Sequence, residues 1–289
     1  MAGEQNSPTA DTSQVSVPLV QGVGLAVGAA EATAPGLTGA VAKLQQDLSP
    51  YEAASHWRPW PAIGMVAVIM AAGVVIALGG ALLLSLLPDN AAGLTQGARI
   101  MLAMLAAQAV IVLGALWAAQ AKGDKLTVAL ALKAPAGGLR TYAAAMAIVL
   151  AAVAAYTVFA NLAFGHDPGQ DLGDIIEIFR GRWWPLALLV IGAGAPLSEE
   201  LMFRGFLQTV LARSRLGYWG AALVTTAIWT ALHAGYSLIG LGEVFMIGII
   251  FALFLRRTGS LRVALVCHAI YNSGIALLMT FGPKDLLGT

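Results

Sequence analysis

The sequence predicts an all-α fold, a polytopic transmembrane helical bundle of about seven spans, with six or eight as the bounds of that count. Three observations predict it. Of 289 residues, 58% are hydrophobic and only 11% charged, with a mean hydropathy of +0.79; a soluble domain solvates its surface with about 25% charged residues. Apolar runs of roughly 20 residues, the length a helix needs to cross about 30 Å of hydrocarbon, recur from residue 62 onward. Trp57, Trp60, Trp183, Trp184, Tyr218 and Trp219 stand at the ends of these runs, as an interfacial aromatic belt does. The expected surroundings are therefore a lipid bilayer. A net charge of +1 gives no basic surface for nucleic acid, and the single cysteine, Cys267, excludes an internal disulfide and a multi-thiolate metal site.

Residues 1–56, rich in Ala, Gly, Thr, Ser and Gln, read as a largely disordered cytoplasmic tail, in which "GLTGAVAKLQQDL" suits a short surface helix. The first sixteen residues contain no Lys or Arg, so the basic region of a cleavable signal is missing. The spans are expected near 62–87, 98–120, 141–164, 184–212, 218–235, 238–255 and 261–281. They divide into N-terminal transmembrane helices, 57–179, and a polar-residue-bearing helical core, 180–281, with a C-terminal tail at 282–289. Lys122, Lys125, Lys133 and Arg140 crowd one connection, Arg213 and Arg215 another, and Arg256, Arg257 and Arg262 a third. These alternate with poorer loops, so the positive-inside rule puts the N-terminus in the cytoplasm and the C-terminus outside a cell membrane.

The second half holds groups that hydrocarbon disfavours. "LSEELMFRG" places Glu199, Glu200 and Arg204 in an apolar run, and His233, His268 and Asn272 fall in later spans. A charged residue at mid-bilayer costs roughly 2.5–3.5 kcal/mol on insertion scales, so such groups face the protein interior and pair or serve a function. Glu200 and Arg204 are spaced i, i+4 and share a face, which suits a structural ion pair. Glu199 is turned about 100° away, toward a different neighbour. His268 and Asn272 project together, and Trp229 lies one turn before His233 to pack against its imidazole. Pro196 removes a backbone donor and should break or kink the helix before the carboxylates. A restart at Ser198 would make that serine a helix cap rather than a nucleophile, and would put Glu199 in a first turn where the dipole favours an anion. Cys267 points about 100° away from His268, poor geometry for a dyad. Glu243 is expected near the outer interface without a role.

This set supports water activation: a carboxylate as general base, histidines to orient the water or hold the oxyanion, and an amide as oxyanion donor. Glu199, His233 and His268 also make up a three-ligand zinc shell with an open position. No cofactor is required by the sequence, and zinc is the one it allows. HExxH is absent, so no single helix presents two histidine ligands, and the metal-free arrangement is the one preferred.

At these residues the sequence resembles the CPBP family of intramembrane proteases, which includes type II CAAX prenyl endopeptidases and the bacteriocin-processing or self-immunity (Abi) proteins. EExxxR corresponds to Glu199-Glu200-Leu201-Met202-Phe203-Arg204. The aromatic-xxx-His motif is Trp229 to His233, with Trp where Phe is usual, and HxxxN is His268 to Asn272; "RRTGSL" at 256–261 is also similar. The resemblance covers roughly residues 180–281. It implies that Glu199 activates water with His233 beside it, that His268 and Asn272 stabilise the oxyanion, and that Glu200 and Arg204 support the site. The expectation is an endopeptidase with a cavity open toward the cytoplasm, acting on a peptide or membrane-protein substrate that includes lipidated ones. A non-catalytic immunity or scaffold protein is the alternative. A proton-coupled transporter fits less well, because the chain has no internal repeat.

Overall fold

The computed structural model describes residues 51–88, 93–167, 171 and 181–282. Most of the N-terminal tail and the last seven residues, with the expectations attached to them, lie outside the described residues. Among the latter there are eight helices and no strands: α1 (Pro59–Ser85), α2 (Gln96–Gln120), the short α3 (Leu126–Ala129), α4 (Leu139–Phe164), α5 (Trp184–Ala212), α6 (Gly217–Ala231), α7 (Leu238–Thr258) and α8 (Leu261–Phe281). Six of them, all but α3 and α6, are long and apolar enough to cross a membrane. The chain is an all-α, multi-pass membrane protein.

The ends of these helices follow local chemistry. α1 begins at prolines, whose missing N–H costs nothing in a first turn. Thr95 and Ser237 cap α2 and α7 by accepting from the N–H groups of Ala98 and Gly240 at 3.2 and 3.0 Å. α4 and α7 end on Gly165 and Gly259, both left-handed at φ 65° and 62°. α1 and α2 approach closely through small residues: a Cβ on Gly114 would lie 2.7 Å from Ile69.

The expected span at 218–235 differs. α6 has 15 residues, which at about 1.5 Å each fall short of the hydrocarbon thickness. The helix closes at Ala231, and His233 lies in the turn between α6 and α7 rather than within a span.

Two sets of contacts define the ends of the bundle. At the first, Leu261 N–H donates to Ala131 O at 2.8 Å, Ser260 Oγ donates to Lys133 O at 2.5 Å, and Arg256 lies over the Tyr218 ring. The segment 51–57 is bound here as well: Tyr51 pairs with Thr209 at 2.8 Å, and the Trp57 indole donates to Ala118 O at 2.8 Å. Burial pushes the Tyr51 phenol up to about 12. At the other end Asp171 accepts from the Ser237 N–H and hydroxyl at 2.7 and 3.0 Å, and Tyr156 donates to Ile239 O at 2.8 Å.

Candidate active site

α5 carries the two carboxylates, and Pro196 shapes it. The helix does not break there. It widens instead into two stretches of π-winding, Leu188–Gly194 and Glu200–Leu207, on either side of an α-helical turn at Ala195–Glu199. Widening before the proline takes up the ring that would crowd a preceding carbonyl. The Ala195 N–H then bonds Val190 O, five residues back. The equivalent partner of Ile191 O would be the N–H that Pro196 lacks, and that carbonyl is taken by the Asn272 amide, which donates to it at 3.1 Å. Gln108 of α2 adds a second amide, donating to Val190 O at 3.1 Å.

The restart expected at Ser198 is therefore corrected. Backbone angles are helical from Gly194 through Gln208, so Glu199 is not in a first turn and gains nothing from a free helix end. Ser198 is no cap; its hydroxyl donates back to Ala195 O at 3.0 Å.

Glu200 and Arg204 are fully buried and bonded at 3.1 Å. The same oxygen, Oε1, accepts from His268 Nδ1 at 3.1 Å. The Arg204 guanidinium lies over the Trp229 ring, its Cζ 4.1 Å from the centroid, and 5.9 Å from that of Phe251. Among the described residues its Nε and Nη2 have no hydrogen-bond acceptor, and the aromatic faces are the negative surface they meet. Gly248 of α7 makes this stack possible. A Cβ there would lie 2.6 Å from Thr226 and 2.7 Å from Arg204 Nη2.

Glu199 faces a different neighbour, as its rotation from Glu200 requires. Its Oε2 accepts from the Trp229 indole N–H at 2.5 Å and lies 3.9 Å from His268 Nε2. Its side chain is 23% exposed, against none for Glu200. The two ring nitrogens of His268 thus address the two carboxylates. Trp229 packs edge-on to His233 at 5.0 Å and to His268 at 5.7 Å. His233 Nδ1 lies 3.0 Å from Trp229 O. A carbonyl only accepts, so the proton is on Nδ1 and Nε2 is left with its lone pair.

A cavity of about 250 Å³ adjoins this network. His233, His268, Asn272 and Trp229 line it, whereas Glu199 does not and meets it only through Trp229 and His268. Burial, with the nearby carboxylates of Asp171, Glu199 and Glu243 adding to it, holds the phenol of Tyr236 on the cavity wall above its ordinary value. Glu243, to which the sequence attached no role, is also on the wall.

The cavity belongs to the end of the bundle built from His166, Asp171, the 232–237 turn, the start of α7 and the later turns of α8. The Lys- and Arg-rich connections are at the opposite end. Positive connections inside and a cavity open toward the cytoplasm are thus incompatible expectations, and the side on which the cavity lies is a matter for labelling. The zinc shell is not assembled either. Among the described residues no three His, Cys, Asp or Glu side chains gather as metal ligands, and the Glu199 oxygen nearest His268 is already bonded to Trp229. These donors as placed do not fit a zinc first shell, and no chemical step is derived through one.

Sequence spacing missed Gly248, Phe251 and Gln108. Gly248 and Phe251 are ordinary residues of an apolar span and Gln108 is a lone amide in another, so only the packing reveals them.

Fold and site together define a multi-pass helical membrane protein with a carboxylate–histidine–amide cluster assembled from α5, α6 and α8. Residues 181–274, about a third of the chain, match the family model described as Rce1-like, type II CAAX prenyl endopeptidase. Over those residues the chain is similar to that family, which is consistent with the resemblance to the CPBP proteases. An Escherichia coli protein described as "Uncharacterized 24.3 kDa protein" is 38% identical over 86 residues, 29% of this chain and 39% of that protein. The chain thus spans about two-fifths of the length of the curated relative it matches. No solved structure matches.

Proposed function

We propose that the protein is an intramembrane endopeptidase that hydrolyses a peptide bond with water activated by Glu199. The observation that carries this reading is the 3.9 Å separation of Glu199 Oε2 and His268 Nε2. It is too long for a direct hydrogen bond and short enough for one water to bridge both. Glu199 accepts the water's proton as the oxygen adds to the carbonyl and returns it to the leaving amine as the C–N bond breaks, and the Nε2 lone pair of His233 is free to accept a hydrogen bond. The second N–H of the Asn272 amide serves the oxyanion, joined by His268 Nε2 once it has gained a proton, and Glu200 with Arg204 fixes the His268 ring from behind. The Rce1-like match over these residues supports the same reading. The substrate is a peptide or membrane-protein segment, lipidated chains included, that reaches the cavity from the side opposite the Lys- and Arg-rich connections.

The test is cleavage of internally quenched peptides by the full chain in lipid nanodiscs. Glu199→Gln keeps the side-chain volume and removes the base, so cleavage should disappear while the protein remains folded and inserted. Full biological activity in that variant would replace the enzyme with a non-catalytic immunity or scaffold protein. The reaction is proposed to proceed without zinc, so a chelator should leave the rate unchanged. Near-stoichiometric zinc in active protein, lost in His268→Ala, would reverse that choice.

A further inference from the structure

α7 carries a carboxylate that takes no part in the network around Glu199. Glu243 is the only charged residue of the helix before Arg256, in a segment whose mean hydropathy reaches 2.5. An ionisable group in such a segment calls for a partner, and where the protein does not provide a charged one the group marks a functional surface. Glu200 is matched by Arg204 and His268. Among the described residues, the hydrogen bond to Glu243 comes from the Tyr271 hydroxyl, a neutral donor, at 3.0 Å.

Position adds to charge. Glu243 and Tyr271 both line the cavity that holds His233, His268 and Asn272, and Tyr271 directly precedes Asn272 on α8. The other acid on the wall, Asp171, is already bonded to Ser237 and lies 3.3 Å from His166 Nε2. No Lys or Arg is among the described residues that line the cavity. At about 250 Å³ the space suits a side chain or a chain end rather than a whole ligand of drug size, for which pockets run about 300–1,000 Å³.

We infer that Glu243, oriented by Tyr271, is a recognition subsite for a cationic group of the substrate: a lysine or arginine side chain, or a peptide's terminal ammonium. The peptide nature of the ligand rests on the endopeptidase reading; the charge does not. A cation entering the cavity meets a carboxylate in a low-dielectric wall, where the attraction is stronger than in water. A free carboxylate in the same place meets repulsion. The subsite therefore selects basic peptides and disfavours a chain end that presents its carboxylate there.

The test uses the full chain in nanodiscs and decapeptides of one apolar sequence with arginine, norleucine or glutamate at each position in turn. Binding is read by fluorescence anisotropy on the Glu199→Gln protein, and cleavage on the wild type. The best arginine peptide should bind at least about tenfold more tightly than its norleucine and glutamate counterparts, as expected for a hydrogen bond to a charged group. Adding Glu243→Gln, which keeps an oxygen for Tyr271 to donate to, should erase that preference, and Glu243→Arg should turn it toward glutamate. Equal binding of the three series, no binding of any arginine peptide, or a preference that survives Glu243→Gln overturns the subsite. A Glu243-dependent preference without wild-type cleavage removes the endopeptidase reading and leaves the subsite; cleavage without preference does the reverse.

Discussion

The indole N–H of Trp229 donates to Glu199 Oε2 at 2.5 Å, while the face of the same ring lies 4.1 Å from the Arg204 guanidinium. One side chain thus serves both carboxylates of the motif, Glu199 through its edge and Glu200 through the arginine stacked on it. A phenylalanine, the usual residue of the resembling family, provides the face without the donor.

Trp229→Phe should therefore separate the two roles. The aromatic stack is kept, so the unfolding midpoint should change little. Glu199 loses a charge-assisted hydrogen bond of about 1.5–3 kcal/mol, and kcat should fall roughly tenfold to a hundredfold if that bond holds the base in place. Unchanged kcat would show that Glu199 is held by other contacts.

Glu200→Gln and Arg204→Ala should damage folding more than chemistry. Each leaves a fully buried charge without its partner, a loss of about 3–5 kcal/mol. The expected readout is a lower yield of folded protein and a lower unfolding midpoint in nanodiscs. Wild-type stability in Arg204→Ala would contradict the buried pair.

Gly248→Ala adds one methyl group where the nearest atoms are 2.6 Å away on Thr226 and 2.7 Å away on Arg204. Overpacking of this kind costs about 1–3 kcal/mol, and the guanidinium is the part that has to move. Thermal unfolding should show the loss, and a substitution at Gly64, where a Cβ meets nothing within 4 Å, should not.

Orientation is open to labelling. Leu238 and Leu216 are exposed, at opposite ends of the bundle. In intact cells Leu238→Cys should react with a membrane-impermeant maleimide, and Leu216→Cys only after permeabilisation. The buried Cys267 gives little background. The opposite pattern would put the cavity on the cytoplasmic side.

Much of this was legible in the sequence, because apolar length and i, i+4 spacing are local properties. The six long spans, the Glu200–Arg204 pair and the Trp229–His233 contact follow from them. The helix in the 218–235 segment was drawn too long because its apolar run continues past Ala231, where the helix stops and the chain turns into α7. The restart at Ser198 was misjudged for another reason. A proline reports the loss of one hydrogen bond but not how the helix absorbs it, and here it does so by π-winding and by amides from α2 and α8. The face on which the cavity opens depends on which ends of the helices diverge, a property of packing that no single segment carries.

The bond from Asn272 to Ile191 O makes Pro196 and Asn272 a single genetic unit. The proline deletes a donor in α5, and the asparagine, in another helix, supplies the replacement. Asn272→Ala in the native background strands a carbonyl, whereas in a Pro196→Ala background the helix can satisfy that carbonyl by itself. The two substitutions should therefore show epistasis in stability, the double variant losing less than the sum of the singles. Pro196→Ala alone releases the Asn272 amide from its scaffold duty, freeing it to turn fully toward the cavity. The order of change is therefore constrained: Asn272 can be lost without stranding the carbonyl only after Pro196 has been replaced.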